Sequence, residues 1–139
     1  MARKSKRRVS RERLLGLLYA WDAGGMELSL ESLDSIRNSF SLEGREDPEF
    51  SRGLFDKYFS QKEHIDDIIE NVSQNWKLSR MDRVDLALIR IGITELMTGE
   101  VPVAVIINES VELGKGYGSG KTARFVNGIL HKVAQNISA

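Results

Sequence analysis

Seven cations crowd the first thirteen residues, Arg3, Lys4, Lys6, Arg7, Arg8, Arg11 and Arg13, against the single acid Glu12. Guanidinium and ammonium groups at that density neutralise phosphate, so their expected chemistry is contact with a nucleic-acid backbone. The 139-residue chain has a formal charge of zero, so a start of net +6 leaves the remainder at −6. The alternative use of such a start is to solubilise an acidic body. A second basic group, Lys115, Lys121 and Arg124, runs directly into Phe125. A ring beside cations suits an unpaired base, because stacking contributes about 1–3 kcal/mol per base. Tyr19 and Tyr117 are the other ring candidates, and Phe125 has a core position as its alternative.

Other motifs point away from catalysis. GKGYGSGKT at 114–122 suggests a phosphate loop, but for Gly120-Lys121-Thr122 to close one, glycine must stand at 115, where the chain has Lys115. Glu109 and Glu112 share a helical face at i and i+3, yet His64 and His131 are the only histidines and neither has ligand spacing, so a solvated acidic face is the expectation. Zero cysteines exclude disulfides and thiolate metal sites. No catalytic residue, metal site or cofactor is expected. Arg90, inside LALIRIGI, requires a partner, with Glu95, Asp85 or an acid of another helix as candidates. Asn108 and Asn127 are expected as satisfied core amides.

The elements that position these groups all read as helical. Leu14, Leu17, Leu18 and Trp21 form one face of a first helix capped at Ser10 and stopped by Gly24 and Gly25. A second covers Leu28–Phe40, a third opens at Pro48, and a fourth carries Ile65, Ile68, Ile69, Val72 and Trp76 after a break at residues 60–62. Phe50, Leu54, Phe55, Tyr58 and Phe59 are expected to face inward. The stretch from Met81 to Met97 is apolar on more than one face and predicts a central helix. Pro102 opens a sixth helix and Thr122 a seventh. Seven helices and no sheet make an all-α chain, with a basic arm over 1–9 and a single helical domain over 10–139. No run reaches the ~20 apolar residues of a membrane span, and a cytoplasmic protein is expected.

Three separated blocks, RRVSRERLLGLLYAW at 7–21, VDLALIRIGITEL at 84–96, and INESVELGKGYG with FVNGIL at 107–118 and 125–130, resemble the NusB family of bacterial transcription antitermination factors in order and spacing. The resemblance implies two small packed helical bundles and no enzymatic activity or cofactor. It implies pairing with the ribosomal protein NusE and binding of single-stranded boxA RNA in nascent transcripts, including those of rRNA operons, within the transcription elongation complex. Some members self-associate, so a homodimer is a further expectation. On this basis Arg7, Arg8 and Arg11 match the family's RNA-binding start, Phe125 an aromatic at the RNA, and Tyr19 and Asp85 positions of partner contact. Thr94 stands where the family has an aromatic, Lys121 where an acid is frequent, and residues 25–60 carry little signature. Two other readings are a NusB-like domain of an RNA cytosine methyltransferase and a helical protein-interaction module.

Overall fold

The computed structural model describes residues 5–39, 45–74 and 77–138. Helix α1 (Lys6–Asp22) starts where the Ser5 hydroxyl accepts from the Arg8 amide at 3.0 Å, and not at Ser10. Lys6, Arg7 and Arg8 therefore lie on helix, not on an arm hanging from it. Ser10 is fully buried instead, accepting from the Asp47 amide at 2.9 Å with its hydroxyl 3.0 Å from the carbonyls of Lys6 and Asp47.

After α2 (Leu30–Ser39), Asp47 caps α3 (Pro48–Ser73) by accepting from the Phe50 amide, with Pro48 in the first turn as its fixed φ favours. This 26-residue helix replaces the expected third and fourth, with no break at 60–62. Leu54, Tyr58, Ile65, Ile69 and Val72 keep steps of three, four and seven across the polar residues, so one buried stripe runs the whole length. Phe59 falls off that stripe and is 47% exposed, stacked on Phe55 with Lys62 over its ring. Phe40 and Trp76 lie outside the described residues.

A 3₁₀ turn, Leu78–Arg80, leads to α4 (Arg83–Thr98), capped by Asp82 and ended by Gly99 in the left-handed conformation at φ +67°. Helices α5 (Val103–Tyr117) and α6 (Thr122–Ser138) complete the chain. Among the described residues there are six α-helices and no strand.

Helix α4 is the hub, buried without interruption from Asp85 to Leu96 and packed against α1, α3, α5 and α6. Leu88, Ile89, Ile91 and Ile93 are sealed from solvent, each contributing roughly 1.5–3 kcal/mol of transfer free energy. At Gly92 a Cβ would stand 2.7 Å from both Leu130 methyls, which shows how closely α4 and α6 approach. Arg90 finds its partner on another helix. Its fork donates to both Asp66 oxygens at 3.0 Å, and its guanidinium lies over Trp21. Glu95 and Asp85, the other two candidates, have different partners.

Candidate nucleic-acid interface

The α1 cations divide by helical angle. Lys6 and Arg7 are exposed, Arg7 lying 4.7 Å from the Phe50 ring centroid. Arg8 donates through Nε to Glu109 on α5 at 2.7 Å, and that bond raises its pKa above the ordinary value against a smaller effect of burial. Arg11 is 2% exposed, with Nε and Nη2 donating to the two Glu95 oxygens at 2.7 Å each. It is thereby removed from the expected RNA contacts, because it sits on the inward stripe of α1 with Leu14, Leu15 and Leu18. Arg13 is buried too, paired with Glu46, and burial holds its pKa below the usual value. Arg3 and Lys4 lie outside the described residues.

The second basic group is arranged differently. Lys115, exposed, reaches Glu112 at 3.1 Å. The Tyr117 hydroxyl donates to Glu12, and burial, together with that carboxylate, pushes its pKa up to about 12. Glu109 and Glu112 thus each face a cation, and they do not form an acid–base pair. Together with Glu12 they act on Arg8, so carboxylates interrupt the continuous basic strip that the sequence suggests.

Beyond Tyr117 the chain turns tightly. Thr122 Oγ1 accepts from the Ser119 amide at 3.0 Å and donates to Asp85 Oδ1 at 2.6 Å, fixing the start of α6 to the start of α4. A Cβ at Gly118 would lie 2.5 Å from the Thr122 Cβ, so glycine is needed for the close approach. Asp85, expected at a partner contact, is buried and latches the start of α4 to the start of α6. Burial raises its pKa, with the Thr122 bond opposing. Helix α5 precedes this loop where a phosphate loop requires a strand.

Lys121 and Arg124 project from the same place, both exposed and with no ion pair among the described residues. They border an open cleft of about 760 Å³ with Arg80 and Met81 of the 3₁₀ turn region, Asp82, Asp85, Ser119, Gly120 and the half-buried Phe125. Arg80 is exposed and likewise makes no ion pair among the described residues. Sequence reading misses it because a three-residue 3₁₀ turn has no periodicity to mark its faces. An Arg two residues before the capping Asp82 is its only signal.

Tyr19 and Tyr117, 46% and 49% exposed, flank a separate apolar groove of about 440 Å³ walled by Leu15, Gly16, Ala20, Ile36 and Val84. Asn108 and Asn127 are exposed, not core amides, since the buried stripes pass through Ile107, Ser110 and Val126 beside them. Among the described residues no cluster of three or more His, Asp or Glu could hold a metal ion.

Comparison with known proteins places these features in a family. The model of the NusB family matches residues 8–135. The transcription antitermination protein NusB of Anaeromyxobacter dehalogenans (strain 2CP-1 / ATCC BAA-258) is 40% identical over 133 residues, 96% of this chain and 93% of that protein. The fold superposes on T. maritima NusB with a TM-score of 0.80 at 26% identity, covering 96% of this chain and 93% of that one. It superposes equally on the crystal structure of antitermination factors NusB and NusE in complex with dsRNA, with a TM-score of 0.79 at 25% identity over 93% of this chain and 96% of that one.

Proposed function

Because this chain belongs to the NusB family, whose members are antitermination factors and not enzymes, we propose that it supports processive transcription by binding single-stranded boxA-type RNA jointly with ribosomal protein NusE. The observation that carries this reading is the cleft at the α5–α6 loop. Arg80, Lys121 and Arg124, three cations with no ion pair among the described residues, line one cleft with the Phe125 ring. Free cations attract phosphates and displace their counterions, while a ring gives an unpaired base a stacking surface. Lys6 and Arg7 supply further phosphate contacts on the first turn of α1. The solved relative that contains both NusE and RNA supports the joint arrangement.

Tyr19 and Tyr117 give the apolar groove the character of a protein-partner surface, since aromatic rings with a polar tip are favoured at interfaces. We assign NusE to it. The bound pair then tethers the nascent transcript of an rRNA operon to the elongating polymerase. This reading puts the chain in the cytoplasm; among the described residues no helix is long and apolar enough to cross a membrane.

The test is the affinity of the chain for a boxA-type single strand across a salt series, with and without NusE. About 3 to 6 phosphate contacts give a log–log slope near −2 to −4, and NusE should tighten binding. Tyr19→Ala should abolish the tightening while leaving the affinity of the chain alone unchanged. Absence of RNA binding in both conditions would refute the reading and favour a protein-interaction module built on the Tyr19 groove.

A further inference from the structure

The cleft beside Phe125 contains two kinds of charge, and phosphate capture accounts for only one. Its cations, Arg80, Lys121 and Arg124, come from the 3₁₀ turn, the α5–α6 loop and the first turn of α6, and all three are exposed. Its carboxylates belong to Asp82 and Asp85 at the start of α4. Asp82 Oδ1 accepts from the amides of Val84 and Asp85, and Asp85 Oδ1 accepts from Thr122. The Oδ2 atom of each accepts no hydrogen bond from a described residue. A surface serving only phosphates gains nothing from acceptors there, because carboxylates repel them.

We propose that this cleft takes one nucleotide, with Arg80 holding its phosphate and the Asp82 and Asp85 carboxylates accepting from an amino group on its base. The proposal rests on the RNA-binding reading above and adds to it a residue and a base preference. The planar fork of Arg80 suits bidentate contact with phosphate oxygens, where a lysine offers a point charge. Met81 and Phe125 provide apolar surface for the base. The ~760 Å³ volume falls within the range of ligand pockets. A Cβ built at Gly120 meets nothing within 4 Å, so the backbone there leaves room for a sugar-phosphate chain. Carboxylates discriminate by hydrogen-bond polarity. Adenine, cytosine and guanine each present an amino donor, whereas uracil presents carbonyl oxygens on both sides of its single N–H, and these oppose an acceptor.

The experiment is a fluorescence-anisotropy titration of the full chain with a short boxA-type single strand, in which each adenosine is replaced in turn by purine riboside, each cytidine by its des-amino analogue and each guanosine by inosine. One position should lose about tenfold in affinity when its amino group is removed, the others little. Arg80→Gln should weaken binding about tenfold and make the salt slope shallower by about 0.7, the value of one phosphate on a single strand. Thermal unfolding should not change, since Arg80 is exposed. Arg83→Gln removes a neighbouring exposed cation that faces Asp22 at 3.6 Å outside the cleft, and should leave affinity unchanged. Wild-type affinity and slope in Arg80→Gln, equal weakening by Arg83→Gln, or no position that senses its amino group would each overturn the proposal while RNA binding itself stood. Failure of the wild-type chain to bind RNA at all would overturn the reading on which it rests.

Discussion

The start of α1 and the cleft at the α5–α6 loop are both rich in cations, yet they use them in opposite ways. On α1, Arg8, Arg11 and Arg13 turn to Glu109, Glu95 and Glu46, so guanidinium groups that look like an RNA-binding arm tie α1 to α5, α4 and the segment before α3. In the cleft Arg80, Lys121 and Arg124 have no carboxylate partner among the described residues. The lesson is that the charge a surface offers to a ligand is what the fold leaves unneutralised, and not the number of cations in a segment. A buried pair also has its own logic. Removing two ions from water is costly, and only close, fully hydrogen-bonded geometry offsets that cost, which the two 2.7 Å bonds between Arg11 and Glu95 provide.

The largest effect should therefore come from α1 and appear in stability. Arg11→Ala leaves the Glu95 carboxylate buried and uncompensated, and is expected to cost about 3–5 kcal/mol in urea unfolding. Replacing Arg11 and Glu95 together by Met and Leu should recover most of that, because no charge remains in the interior. If Arg11→Ala instead unfolds like wild type and loses RNA affinity, the division between structural and binding cations is wrong.

Next in size, Lys121→Gln combined with Arg124→Gln should lower RNA affinity by roughly 2 kcal/mol, as loss of charge-assisted contacts implies. The salt slope should become shallower by about 1.4 if both meet phosphate. Urea unfolding should stay within about 0.5 kcal/mol of wild type, the usual bound for surface changes. Lys6→Gln with Arg7→Gln should show the same pattern at smaller amplitude, about 0.5–1 kcal/mol in RNA affinity, since Arg7 also packs on Phe50. A larger loss there than in the cleft would reverse the ranking of the two regions.

These contrasts were only partly legible in the sequence. The all-α architecture, the buried α4 and the lack of phosphate-loop spacing in the glycine-rich loop follow from period and spacing, which are local properties. The inward fate of Arg11 was also accessible, because Arg11, Leu14, Leu15 and Leu18 share one stripe. Its membership of the basic start concealed it, because the cations there read as one group by charge and not by helical angle. The continuity of α3 was similarly present in the steps from Leu54 to Val72, obscured by weight given to three polar residues in its middle. What no local pattern contains is the identity of distant partners. Asp66 for Arg90 and Glu109 for Arg8 are 24 and 101 residues away. Arg80 belongs to the cleft only because the 3₁₀ turn and the α5–α6 loop meet in space.

The smallest effect distinguishes the two regions most finely, because Arg8 stands between them in character. Its side chain is 31% exposed, so its pair with Glu109 is neither sealed like Arg11 with Glu95 nor absent as in the cleft. Glu109→Gln keeps a hydrogen-bond acceptor for Arg8 while removing the negative charge. A partly exposed pair contributes little, so unfolding free energy should fall by only about 0.2–1 kcal/mol. RNA affinity should move the other way. One carboxylate fewer beside Lys6, Arg7 and Arg8 makes the local potential more positive, and if phosphate then engages Arg8 the salt slope steepens by about 0.7. A gain in affinity with a small loss of stability would show that Arg8 is a phosphate contact held in check by Glu109. Loss of stability with unchanged affinity and slope would class it with Arg11 and Arg13, and would leave the cleft as the principal source of positive charge available to RNA.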